Sequence, residues 1–390
     1  MKTAIALVAV LAATPALAQV NQAPPNAPNQ KPVFENQTRA PELSDGVAVR
    51  QQVVIRGLDS PWGLALLPDG AWLITEKPGR MRLFADGALS EPLKGLPKVD
   101  ARGQGGLLDV AVAPDFAQSR RVWFSYAEPR EGGKNGTAVA TGTLSADGTA
   151  LEGVEVIFRQ DPAWASDKHF GSRIVPDGRG GIFVTTGERS VIDARPLAQD
   201  VNTHLGKVLH IDGKTGAPLS GNPFAQGGGG KPEIWSWGHR NIQSAALDGQ
   251  GRLWTVEHGA KGGDELNRPE AGKNYGWPVI TYGVEYSGKT IGKGLTQAEG
   301  MEQPVYYWDP VIAPSGMAIY DGAMFPEMRG DILIGGLKSA SVVRLKLQGD
   351  RVAGEQHLAQ GIGRVRDVAV APDGALMVLT DEGALVRLAR

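Results

Sequence analysis

The sequence predicts an all-β fold, a six-bladed β-propeller of four-stranded antiparallel blades, from three observations. A strand-turn-strand unit recurs six times: GLALLPDGAWLITE from Gly63, LDVAVAPDF...RVWFSYA from Leu108, SRIVPDGRGGIFVTTGE from Ser172, SAALDGQGRLWTVEHG from Ser244, GMAIYDG...GDILIGGLK from Gly316 and RDVAVAPDGALMVLTDEG from Arg366. Its turn aspartates, Asp69, Asp115, Asp177, Asp248, Asp321 and Asp373, are separated by roughly 45 to 75 residues, room for four short strands with variable loops. The 53 Gly and 26 Pro suit many tight β turns, and no long apolar stripe of helical period competes with the strand pattern. A β-sandwich, the competing architecture, does not require turn and phase to repeat.

In chain order, residues 1–18 read as a signal peptide: Lys2, an apolar run from Ala4 to Ala13, and the small-x-small end Ala16-Leu17-Ala18, with cleavage expected before Gln19. The expected location is therefore periplasmic or secreted. Residues 19–44 are dense in Pro, Asn and Gln, include Pro24, Pro25, Pro28 and Pro32, and read as a flexible leader without a core of its own. Residues 45–390 read as one propeller catalytic domain, since the repeat accounts for a length beyond that of an ordinary single core.

Composition narrows the ligand. With 40 basic and 42 acidic side chains and a formal net charge of −2, no tract suits nucleic acid or a membrane surface, and no membrane span is expected. There is no Cys, which excludes disulfides and thiol chemistry; with no His pair at i, i+4 either, spacing offers no zinc site. A small neutral or locally charged ligand remains, while monomer and homodimer both stay open.

Propeller geometry then says which residues meet. The first strand of each unit runs from the axial mouth to the turn and the second returns, so residues before the first strand and just after the second share one face. Before the turns stand Trp62, Gln104, His169, Phe170, Arg240, Asn241, Ser315, Arg364 and Arg366; after the second strands stand Glu76, Glu188, His258 and Lys338. Gln104, His169, Arg240, Asn241, Lys338, Arg364 and Arg366 thus gather one imidazole, four cations and two amides. Arginine forks bind carboxylates in bidentate fashion, so the set suits a multiply charged anion beside a base that titrates near neutrality. Each has a plainer reading: Arg366 could pair with Asp367, and His258, His204 and His210 could be structural, with His357 solvated. The stretch HGAKGGDELNRPEAGKNYGWP from His258 places Asp264 and Glu265 beside a Gly-rich loop, a donor set that suits a hard cation or merely caps a turn.

These motifs resemble the soluble pyrroloquinoline quinone (PQQ) dependent aldose sugar dehydrogenases, relatives of soluble glucose dehydrogenase. The matches are PWGLALLPDG at Pro61, GQGGLLDVAVAPDF at Gly103, HFGSRIVPDG at His169, GHRNIQ at Gly238, GGDELN...GKNYGWP at Gly262, and GLKSASVVRL with RVRDVAVAPDG near the end. The resemblance implies oxidation of aldoses at C1 to the lactone by hydride transfer to the quinone. It implies that His169 is the general base, that Gln104, Arg240, Asn241, Lys338, Arg364 and Arg366 contact the cofactor, and that Arg240 and Asn241 also polarise the quinone oxygen. It further implies Ca2+, with the Gly259 and Ala260 carbonyls at one site and Glu265 with the Tyr275 carbonyl at another. Partners would be aldose sugars and an external electron acceptor (dye, quinone or cytochrome). Lys168 stands where soluble glucose dehydrogenase has Asp, which favours the aldose sugar dehydrogenase branch, with a more open mouth. Two alternatives stay open: a calcium-dependent sugar-lactone hydrolase, which needs carboxylates around an axial metal, and a non-catalytic binding propeller.

Overall fold

The computed structural model describes residues 20–390; the expected signal peptide lies outside them. Among the described residues, twenty-four strands form six four-stranded antiparallel sheets. Five blades are consecutive in sequence, at 61–89, 107–159, 171–237, 242–308 and 314–358. The sixth takes its three inner strands from 365–389 and its outermost from Arg50–Arg56, which pairs antiparallel with Ala384–Ala389. This ring closure, which the repeat pattern did not reveal, joins the two ends of the domain. Helix is confined, among the described residues, to Phe116–Ser119 and three single 3-10 turns.

All six turn aspartates lie between the innermost strand of a blade and the next. In four of the six the aspartate has a local cause, because the carboxylate binds backbone amides two to four residues on: Asp69 accepts from Ala71 N, Asp177 from Arg179 N and Gly181 N, Asp248 from Gln250 N and Arg252 N, and Asp373 from Ala375 N; Asp115 accepts from Ser119 Oγ instead. The core is a ring of interblade layers, with an apolar cluster between each pair of neighbouring blades. Length is therefore accommodated by adding layers instead of thickening one core.

Every innermost strand also carries a register shift near its mouth end, at Pro61/Leu64, Leu107/Val110, Gly171/Ile174, Ile242/Ser244, Pro314/Met317 and Val365/Asp367. Such bulges bend the strand and re-aim the side chains beyond them. Below the mouth an ion cluster ties three blades together: Arg173 Nη1 donates to Asp109 Oδ1 at 2.7 Å and Asp367 Oδ2 at 3.3 Å. Burial pushes Asp109 up to about 7, although Arg173 opposes the shift. Asp367 thus serves Arg173, not Arg366.

Residues 20–44, read as a flexible leader, instead lie against the outer strands of the fourth and fifth blades. Tyr307 N donates to Gln37 O, while Leu43 N donates to Glu355 O and Glu355 N to Pro41 O, all at 2.8–2.9 Å. Low apolar periodicity rules out a private core, but edge strands offer unpaired polar groups that such a segment can satisfy.

Candidate active site

A cavity of about 280 Å³ opens on the axis at the predicted mouth. Every blade contributes to its wall: Trp62 and Lys77 from the first, Gln104 and Leu108 from the second, Phe170 and Gly171 from the third, Gln243 and His258 from the fourth, Ala313 and Leu337 from the fifth, Arg364 and Arg366 from the sixth. None of the residues lining it is a carboxylate, which goes against the metal hydrolase pattern.

His169 sits directly behind this wall, 4% exposed, with φ 49. Its backbone N donates to Gln104 Oε1 at 2.8 Å, so the exposed Gln104 side chain clamps the strained residue from the neighbouring blade. The ring pairs with Glu188: Nδ1 lies 3.0 Å from Oε1, and Glu188 Oε2 accepts Ser190 N at 2.6 Å. Because an ionised carboxylate only accepts, Nδ1 carries the proton and Nε2 keeps its lone pair. Burial, then the charge of Arg240, lowers the His169 pKa to about 4 despite Glu188, so the ring is neutral at pH 7.

Asn241 Oδ1 accepts from Gly171 N at 3.1 Å and Gln243 Nε2 at 3.2 Å, joining the third and fourth blades behind the cavity. Arg240 Nη1 donates to the carbonyls of His258 and Gly259, and the guanidinium lies 5.2 Å from the Trp277 ring. Two donors here, Arg240 Nε and Asn241 Nδ2, are buried without an acceptor.

On the opposite wall Arg366 binds both oxygens of Asp381 at 2.8 and 3.1 Å, and Arg364 Nε shares that carboxylate at 3.0 Å. Burial would raise the Asp381 pKa, but the two guanidiniums bring it below the usual range. Lys77, which sequence reasoning missed by one residue beside Glu76, donates to Gly103 O at 2.6 Å. Burial, then Arg366, lowers its ammonium pKa. By the same one-residue offset Leu337 lines the cavity, while Lys338 follows it with an exposed side chain. Lys77, His258 and Leu337 each stand immediately after their second strand, a phase the sequence could have yielded.

His258 therefore does face the cavity, with Nε2 held 2.7 Å from Pro314 O. The remaining histidines are accounted for elsewhere: His204 with Glu233 and Asp161 N, His210 with Asp177, His239 with Glu257. His357, read as solvated, lies 2.9 Å from Glu355 Oε1 on the outer strand of the fifth blade.

A smaller pocket adjoins at His258 and is lined by Arg240, Glu257, Gly259, Glu265 and Tyr275. Asp264 is occupied as a backbone clamp, accepting Gly259 N at 2.8 Å and Ala313 N at 2.7 Å. Glu265 faces the pocket, where burial and the neighbouring Glu257 raise its pKa well above the ordinary carboxylate value. Ala260 packs with Ala198, Trp277 and Ile291 and is not among the residues lining the pocket.

The propeller as a whole has known relatives. Residues 58–387 match the family described as Glucose / Sorbosone dehydrogenase. The chain is 46% identical over 342 residues to aldose sugar dehydrogenase YliI of Escherichia coli (strain K12), covering 86% of this chain and 91% of that protein. It superposes on the apo-form crystal structure of the soluble aldose sugar dehydrogenase (Asd) from Escherichia coli with a TM-score of 0.84 at 44% identity, covering 88% of this chain and 99% of that one. The PQQ-bound form of aldose sugar dehydrogenase (Adh) from Streptomyces coelicolor superposes with a TM-score of 0.72 at 29% identity, covering 87% and 98%. With nearly the whole propeller matched, the chain belongs to the glucose/sorbosone dehydrogenase family, a family of oxidoreductases.

Proposed function

We propose that the protein oxidises aldose sugars at C1 to the lactone, with PQQ bound in the axial cavity, calcium in the adjoining pocket and His169 as the general base. The observation that carries this reading is the set of unanswered donors at the mouth. Arg240 Nε and Asn241 Nδ2 are buried without an acceptor among the described residues, and the Lys338 ammonium has no partner there. A buried donor left unpaired costs about 1–3 kcal/mol, so the site suits an acceptor-rich anion. Arg240 and Asn241 would hold the quinone oxygens, Gln104 a further edge, and Lys77, Lys338, Arg364 and Arg366 the carboxylates. Along the wall of the smaller pocket, half-buried Glu265 and its neighbour Glu257 bring carboxylate oxygens together beside Arg240 and His258, and Asn267, bonded to both carboxylates, leaves its Oδ1 without a partner; these oxygens are the donor type a hard cation takes. Glu265 and the Tyr275 carbonyl would hold calcium there, and the Gly259 and Ala260 carbonyls would hold it on the cofactor side.

Bound PQQ supplies a two-electron acceptor for hydride. The protein's own part is proton transfer and electrostatics. His169 Nε2 takes the proton of the C1 hydroxyl as the C1–H bond gives up its hydride and the C1 carbonyl forms. Glu188 receives the Nδ1 proton in a hydrogen bond and stabilises the imidazolium as it appears. Glu188 is ionised for this role: burial would raise its pKa, yet its bond to His169 keeps it low. Arg240 places positive charge where negative charge develops.

The direct test is aldose-dependent reduction of a dye by purified protein, with and without PQQ and calcium. Activity is expected only with both; no activity over a panel of aldoses, with no quinone retained on gel filtration, overturns the reading. Arg366→Ala removes one charged fork and is expected to raise the PQQ concentration for half reconstitution by about ten- to a hundredfold, the worth of one charge-assisted bond. An unchanged reconstitution curve would remove Arg366 from the cofactor site. Export rests on residues 1–18 alone, and N-terminal sequencing of protein recovered outside the cytoplasm checks cleavage before Gln19.

A further inference from the structure

We propose that residues 21–43 form a positioning strap for the cofactor-side turn at 259–263, with Asp309 as the node between them. The inference rests on the PQQ reading above.

Asp309 binds the strap with both oxygens. Oδ1 accepts Asn26 N at 2.7 Å and Asn26 Nδ2 at 3.1 Å, and Oδ2 accepts Ala27 N at 2.8 Å. Arg39 closes the strap on itself and on the same residue, donating from Nη1 to Asn21 O at 2.9 Å and from Nη2 to Ala23 O and Asp309 O, each at 2.7 Å. The same carboxylate packs against the turn, so closely that a Cβ added at Gly262 would stand 2.8 Å from Asp309 Oδ1. The adjacent Gly263 N donates to Trp308 O at 2.9 Å.

A second contact braces the far side of the turn. Gln37, fully buried, donates to Pro304 O at 3.1 Å and shares Gln303 Oε1 with Tyr282 OH. Two residues beyond Tyr282, Val284 exchanges both backbone hydrogen bonds with Lys261 at 3.0 Å. The turn is thus gripped from Asp309 on one side and from the Tyr282 segment on the other, and the strap touches both.

The turn needs outside support. Gly262 and Gly263 both sit at positive φ, 80 and 75, and glycine loses more conformational freedom on ordering than any other residue. Arg240 reaches the cavity side of this turn through the His258 and Gly259 carbonyls. If the turn wanders, the guanidinium loses its fixed point. Apparent affinity falls by the fraction of molecules holding the competent arrangement, so a strap that keeps the turn in place raises quinone affinity without touching quinone.

The experiment compares the protein, Asp309→Asn, and a chain beginning at Pro41 with and without a peptide of residues 20–40 in trans. PQQ binding is titrated by absorbance with calcium and no sugar, and hydrogen exchange is read at the Lys261 and Gly263 amides of the quinone-free protein. Expected on strap release are faster exchange at both amides with inner-strand amides unchanged, a half-saturation about tenfold higher, and turnover at saturating PQQ within about twofold of the starting protein. The peptide should restore both readouts. Exchange and half-saturation that stay unchanged in the chain beginning at Pro41 without the peptide overturn the proposal. Should the truncated chain not fold, Asp309→Asn carries the same comparison. Should the unaltered protein bind no PQQ, the functional reading falls, and the exchange data alone judge the strap.

Discussion

Replacing His169 with alanine is expected to lower turnover by about 10² to 10⁴, the contribution of a positioned general base, while PQQ stays bound. That loss corresponds to roughly 2.7 to 5.5 kcal/mol of transition-state stabilisation. The substitution leaves the backbone bond from residue 169 to Gln104 Oε1 in place but takes from buried Glu188 its imidazole partner, so melting temperature and PQQ binding are read beside turnover to separate loss of the base from loss of packing. The pH profile adds a second check. Only neutral His169 accepts a proton, and its pKa is lowered to about 4 by burial and Arg240. The base form is therefore complete at pH 7, persists through pH 6, and is lost as pH falls through about 4. Imidazole at its ordinary value, near 6.5, would already lose activity below pH 6.5. Full turnover in His169→Ala, or an acid limb near 6.5 in the unaltered protein, would count against this assignment.

What the sequence made legible was what the chain encodes locally. The strand-turn-strand motif is complete within a short stretch of chain, so its six copies could be counted and the blades with them. Ring closure could not be read this way, because Arg50–Arg56 meets Ala384–Ala389 only after the whole ring has formed. The site was legible to the accuracy of strand phase. Gln104, Arg364 and Arg366 stand on the cavity wall and His169, Arg240 and Asn241 directly behind it, yet Lys77 was passed over for Glu76 and Leu337 for Lys338. A one-residue error in where a strand ends exchanges its two faces. The strap at 21–43 was illegible for another reason: its partners Asp309, Pro304 and Glu355 are distant in sequence, and composition reports only that a segment has no core of its own.

The bulge in the third blade decides the partner of His169. Counted back from the turn, Ile174 pairs with Val184, a register that would set residue 169 opposite Arg189. The shift before Ile174 pairs Gly171 with Thr186, and continuing that register sets His169 opposite Glu188, as their 3.0 Å contact shows. Glu188→Gln should therefore be nearly as damaging as losing the base, with turnover down about 10² to 10⁴. The Ser190 amide, 2.6 Å from Glu188 Oε2, is a donor and will claim the carbonyl oxygen of the new amide. Its NH2 then points at Nδ1 of His169 and drives the ring proton to Nε2, where the base must be free. Glu188 also raises the His169 pKa through its hydrogen bond and charge, so its removal should move the acid limb to lower pH while depressing turnover across the profile. The measurement is kcat against pH for both proteins at saturating PQQ, with half-saturation and melting temperature alongside. Near-normal turnover with the limb moved to higher pH would mean that Glu188 neither fixes the tautomer nor favours the imidazolium, and that the base acts without it.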